Sequence, residues 1–242
     1  MRTIYALIGI LALAGCIVYM APAALLAAAL GEDGPARLAH TRGTIWNGVA
    51  AVQYHDQPLG SLSWQFDARG LPKAEAKFDW RLAASGHDLS GTARLGLDGL
   101  HCNAAGLVRG TFLRRILAPY WIEAGGNIGI DSITAHLAHD LRPRNVAGEL
   151  SWEGGEVRYR LAGEHHRMVL PPLSGMLETV GAAPALTVLG AGIEAPLLHI
   201  RLGPDGWLDI GVTKMLTKMA GSPWPGNEPD HAIVIDVSER LI

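Results

Sequence analysis

Polar and apolar residues alternate along much of the chain, and a period of two is the signature of a β-strand with one dry face. The clearest case spans 74–82: Ala74, Ala76, Phe78, Trp80 and Leu82 point one way, while Glu75, Lys77, Asp79 and Arg81 point the other. The pattern returns as Ala93, Leu95 and Leu97 against Thr92, Arg94 and Gly96, and as Val157, Tyr159 and Leu161 against Arg158 and Arg160. Near the C-terminus, Leu198, Ile200 and Leu202 oppose His199 and Arg201, and Ile233, Ile235 and Val237 face away from Asp236. Strands with one wet face predict antiparallel pairing, because parallel sheets are covered on both sides and read as continuous apolar runs. The predicted fold class is all-β: antiparallel, as a curved sheet or two packed sheets, with few short helices. Its dry face needs a cover, which is a second sheet, a curl of the same sheet, or a ligand.

Helices are predicted at 112–121 and, after Pro171 and Pro172, at 173–180; the segment 215–220 fits either helix or strand. Residues 34–39 read as a linker, and 223–229 as a loop before the last strand. The 30 glycines and 14 prolines cut the remainder into strand-length pieces. Gly60, Leu62, Ser63 and Trp64 are echoed by Gly148, Leu150, Ser151 and Trp152. Such an echo predicts two related halves, at about 43–140 and 141–242.

One segment departs from the alternation. Residues 3–30 carry no charge, and at ~1.5 Å per residue such a helix crosses a ~30 Å hydrocarbon core. Arg2 precedes the run and Glu32 and Asp33 follow it, an asymmetry that places the N-terminus in the cytoplasm. The expectation is a cytoplasmic tip at 1–2, a transmembrane helix over 3–30 and a periplasmic β domain over 31–242, single-pass in a bacterial inner membrane. A removable signal peptide has a shorter apolar region than this. Leu13, Ala14, Gly15 and Cys16 form a lipobox-like sequence in which Cys16 would become an acylated N-terminus. A lipoprotein normally continues into a polar linker, whereas Ile17 to Leu30 stays apolar.

Charge and candidate chemistry narrow the function. With 23 acidic against 20 basic side chains, the chain has no basic field to hold nucleic acid. Cys16 lies in the apolar run and Cys102 outside it, so the fold must stand without a disulfide, and Cys102 is expected to be buried. His136, His139 and Asp140 offer zinc-ligand chemistry. On a strand, however, positions 136 and 139 project from opposite faces, so the expectation is a solvated strand edge. His165 and His166 also oppose each other and are expected in the turn after Gly163. Gly190, Gly192 and Ala195 fit a dinucleotide fingerprint, but Pro196 removes a helical donor and a strand pattern follows. Nucleophile elbow, phosphate loop and zinc-protease helix are all missing from the sequence. No catalytic residue, cofactor site or metal ligand is predicted. The 7 tryptophans, Trp46, Trp64, Trp80, Trp121, Trp152, Trp207 and Trp224, serve either as core filler beside glycine or as anchors for a partner, with core filling the expectation.

The order of these features resembles a known family. An N-terminal apolar span, then Gly43-Thr44-Ile45-Trp46-Asn47-Gly48, then Leu62-Ser63-Trp64, is similar to the opening of the type II secretion system protein N family. The likeness continues through Gly148-Glu149-Leu150-Ser151-Trp152, Leu170-Pro171-Pro172 with Gly175, Pro196-Leu197-Leu198 and Asp205-Gly206-Trp207. Val212-Thr213-Lys214 and Ala220-Gly221-Ser222-Pro223-Trp224 close it. The resemblance implies an accessory component of the machine that exports folded proteins from the periplasm, with no enzymatic role and no cofactor. It supplies no catalytic residues, and implies turn roles for Gly43 and Gly48 and packing roles for Trp46 and Trp64. The expected partners are other secretion components, including the outer-membrane secretin and the inner-membrane platform. The alternative expectation is an anchored carrier that holds lipid against the dry face of an open β groove.

Overall fold

The computed structural model describes residues 18–30, 36–54, 57–73, 75–139, 143–161, 163–181, 183–203 and 205–240. Contacts divide the chain into two units, one ending at Ala84 and the other beginning at Ser85. Antiparallel strands dominate both.

In the first unit, helix α1 (Ala24–Leu30) precedes β1 (Ala36–Gly43), β2 (Asn47–Tyr54), β3 (Gln57–Asp67) and β4 (Ala76–Ala84), which pair in sequence order. The predicted alternation holds in β4: Leu82, Trp80 and Phe78 lie opposite Leu62, Trp64 and Phe66, while Arg81 and Asp79 lie opposite Ser63 and Gln65 on the other face. Ala23, Ala50 and Trp64 form the buried centre of this unit, with Leu26 of α1 packed on them.

Two expectations change here. The described part of the apolar run is not one continuous helix: the chain turns at Met20, and Pro22 bridges Thr44. The carbonyl of Ala21 accepts from the N–H of Ile45 at 2.9 Å, and the N–H of Ala23 donates to Gly43 at 3.0 Å. Within 21–30, Ala23 and Leu26 therefore serve the core of the β unit, while Leu25 is exposed. No described helix is long and apolar enough to cross a membrane, and residues 1–17 lie outside the described residues. The expected linker is also corrected, because its residues 36–39 already pair as β1.

Gly43 and Gly48 turn out to do different jobs. Gly43 has φ +92°, which makes glycine the residue its turn requires. Gly48 sits in β2 opposite Trp64, and a methyl group there would occupy the space of the indole. The Trp64 indole N–H donates to the carbonyl of Ile45 at 3.1 Å. Trp152 in the second unit repeats the device: its ring lies against Gly126 and its N–H donates to Gly125 at 2.9 Å. The echo between 60–64 and 148–152 is thus an echo of one packing solution.

The second unit contains β5 (His87–Gly96), β6 (Gly99–Val108), α2 (Gly110–Leu117), β7 (Ile122–Ala124), β8 (Ile128–Leu137) and β9 (Pro143–Trp152). It continues with β10 (Gly155–Leu161), β11 (Glu164–Leu170), β12 (Leu173–Val180), β13 (Ala183–Gly190), β14 (Leu198–Leu202), β15 (Trp207–Thr213), α3 (Lys214–Met219) and β16 (Ile233–Arg240). Its main sheet runs β5-β6-β8-β9-β12-β13-β14-β15-β16, and β11-β10-β7 form a smaller one. Register puts Leu89, Gly106, Ile130, Leu150, Gly175, Val188, Leu198, Val212 and Ile235 in one lateral row. Apolar residues and glycine thus occupy this row from β5 to β16. The small sheet contributes Ala124, Val157 and Leu170 to a core completed by Trp152, Leu173 and the α2 residues Leu113 and Leu117. Of the three covers considered for a dry face, a second sheet is the one this unit uses.

The helix predicted at 112–121 appears as α2 followed by a 3-10 turn at Ala118–Tyr120, and the ambiguous 215–220 as α3. The helix predicted at Leu173–Val180 is wrong. That segment is β12, with half-buried and exposed positions alternating strictly. Leu173 and Leu177 are four apart, a spacing that suits a helix face and a strand face equally, while Gly175 lets Leu150 and Leu186 close in on the sheet.

After β15 the chain is locked down. Thr213 is fully buried and its hydroxyl donates to the carbonyl of Pro196 at 2.7 Å, next to Leu197, which is also fully buried. Lys214 is almost as buried, and its ammonium donates to the carbonyls of Gly226 at 2.6 Å and Glu228 at 2.9 Å.

Two outcomes are expected from this packing. Gly48→Ala should destabilise the full chain by about 1–3 kcal/mol, the cost of overpacking, and Gly48→Ala combined with Trp64→Leu should cost less than the sum of the two single changes, measured by denaturant unfolding in detergent. Lys214→Met should cost about 2 kcal/mol, since charge-assisted bonds to two carbonyls are lost, and limited proteolysis should then cut faster within 222–230.

Candidate functional site

The small sheet and α2 stand over the dry face without filling the space beneath them. A cavity of about 400 Å³ lies among Leu113, Ile128, Leu150, Leu170, Val188 and Leu198. A second, of about 620 Å³, lies among Ile122, Met168, Val212, Leu216, Trp224 and Ile235. Val157 of β10 lines both, so the two adjoin beneath the small sheet. Gly175 contributes to the first by offering no side chain in the middle of the apolar row. Atoms lining such spaces lack dispersion partners on one side, so an apolar chain entering them recovers contacts that the protein alone does not make.

Beside the second cavity, Arg160 lies over the ring of Trp121, 5.1 Å from its centroid, and the ring is largely exposed. A polar group buried on the dry face is His87, whose ring nitrogens have no hydrogen-bond partner and whose ring lies 4.5 Å from that of Phe112. At the margin of the main sheet, β16 is the last strand among the described residues, and Ile233 and Val237 are half exposed on it. It carries neither proline nor lysine, residues that commonly blunt such edges.

The residues singled out in the sequence are scattered. His136 lies in β8, His139 lies beyond its end, and Asp140 is outside the described residues. His136 instead stacks on His101 of β6, a neighbour that sequence spacing did not reveal because the pairing joins non-consecutive strands. His165 and His166 are in β11 rather than in a turn, and His166 stacks on Tyr159. Gly190 ends β13, and the next element after Ala195 is the strand β14, so no helix is there to meet a pyrophosphate. Cys102 is half buried opposite Ala93 and Ala135, and burial pushes its thiol pKa up.

Among the tryptophans, Trp64, Trp80 and Trp152 fill cores, while Trp121, Trp207 and Trp224 are exposed to a substantial degree. Trp46 does something else: its ring meets Phe66 edge-on at 5.1 Å, and its indole N–H donates to the carbonyl of Val18 at 2.9 Å.

A family model described as type II secretion system (T2SS), protein N, matches residues 35–224. No curated protein and no solved structure matches. The matched stretch includes the Gly48–Trp64 contact of the first unit and the Thr213–Pro196 bond of the second. With the match extending from the start of β1 to the loop before β16, the chain belongs to the type II secretion system protein N family.

Proposed function

We propose that this protein is an accessory scaffold of the type II secretion machinery, held at the bacterial inner membrane by the apolar segment before Ala21, with its β domain in the periplasm. The observation that carries this reading is the family match over 35–224. The anchor is supported by Val18, Tyr19 and Met20, whose side chains are mostly exposed where the chain enters the described structure. Confinement of the domain and its partners to one narrow compartment raises their effective concentration, so weak contacts suffice. The partners are the outer-membrane secretin and the inner-membrane platform, and the edge of β16 is available for strand addition. This reading assigns no catalytic residue and no cofactor.

The adjoining apolar cavities favour a second reading, in which the groove holds the acyl chains of a membrane lipid. Charged and polar groups are few along the walls of the first cavity, which suits a chain rather than a headgroup.

Each reading has its own test. A photo-crosslinker at Val237 on β16 is expected to capture a secretin or platform component in intact membranes, and the same group at Glu178 on the exposed face of β12 much less; recovery of no secretion component from either position removes the scaffold. Native mass spectrometry of the full chain, extracted with its surrounding membrane, is expected to find retained phospholipid that Val188→Phe with Leu198→Trp expels. Equal lipid in both proteins removes the carrier.

A further inference from the structure

The polar face of the second unit carries a cluster that neither reading uses. Asp98 lies in the turn between β5 and β6, His101 follows in β6, and His136 lies directly opposite His101 in β8. The two imidazoles stack with centroids 4.1 Å apart and planes 8° from parallel. Both Nε2 atoms turn toward the same residue: that of His101 is 2.7 Å from the Asp98 carboxylate, and that of His136 is 3.1 Å from the Asp98 main-chain carbonyl. One ligand atom from each of the three residues lies within 4.8 Å of the other two.

We propose that Asp98, His101 and His136 form a site for a divalent transition metal ion of the zinc class. Two imidazole nitrogens and one carboxylate oxygen are the donors that borderline-soft ions take, whereas magnesium and calcium demand oxygen throughout. A hollow of about 240 Å³ beside the rings is lined by Thr92, Asn103, Thr134 and Asn145, neutral groups able to orient water in the remaining coordination positions, and by one cation, Arg94. A metal sits in the plane of each imidazole it binds, so coordination swings the stacked rings apart. It replaces the His101–Asp98 hydrogen bond and leaves each ring proton on Nδ1. The bound ion ties the β5–β6 turn to β8 across the non-consecutive pairing.

The test uses the full chain in detergent, without a polyhistidine tag and stripped with chelator. Zinc titrated by calorimetry is expected to bind at one ion per chain, and saturation is expected to raise Tm by about 5 °C. Cobalt added in its place is expected to give the visible bands of a low-symmetry nitrogen and oxygen site. His101→Gln, His136→Gln and Asp98→Asn should each weaken zinc binding by at least about tenfold, with His139→Gln unchanged. All four positions lie at the surface or only half buried, and circular dichroism identifies any variant that loses the fold, leaving the others to decide. Absence of zinc uptake by the wild type overturns the proposal, as does uptake that folded variants at 98, 101 and 136 retain in full.

Discussion

The lateral row from Leu89 through Ile130, Leu150, Val188 and Leu198 to Ile235 must be kept from water by something outside the sheet that carries it, because an antiparallel sheet leaves both of its faces open. Everything else in the second unit follows from that demand. The excursions from β6 to β8 and from β9 to β12 leave the main sheet, and in doing so they build α2 and the small sheet that return over the row. The chain obtains its cover from the connections between strands that are neighbours in the main sheet. Because the cover is narrower than the surface beneath it, apolar space is left over, and that space is the groove.

A second constraint is local and appears in both units. An indole placed over a glycine, with its N–H given to the carbonyl of a preceding turn, joins a strand to a loop through one side chain. Tryptophan is suited to this because its apolar body fills the core while its polar atom satisfies a carbonyl that packing would otherwise strand. Gly48 is small for the sake of Trp64, whereas Gly126, at φ +73°, is held small by the Gly154 carbonyl as well as by the Trp152 indole.

Alternation made the strands legible, since β4, β10, β14 and β16 fall where the period of two is unbroken. It failed where two periods coincide, as in Leu173–Val180, because residues four apart share a face in either structure. The apolar run is ambiguous for a different reason: Ala23 and Leu26 pack with Trp64, residues 1–17 lie outside the described residues, and composition does not distinguish a core from a bilayer. The His101–His136 neighbourhood was invisible because β7 and α2 separate its strands in sequence, so only pairing brings the rings together. Family motifs were legible as a set, while the task of each residue emerged only from its contacts. Lys214 stood in the motif Val212-Thr213-Lys214 without an assigned task, and its contacts make it a buried clasp for the loop that follows.

The bond from Trp46 to the carbonyl of Val18, with the pairing of Ala21 and Ala23 against the Gly43–Ile45 turn, has a mechanical meaning. A segment joined to a sheet by slack chain swivels freely and passes on little force. Here residues 18–23 are stitched to the first sheet immediately before α1, so almost no slack chain lies between Val18 and that sheet. Force applied to the chain at Val18 therefore reaches that sheet directly, with no loose residues between them to absorb it.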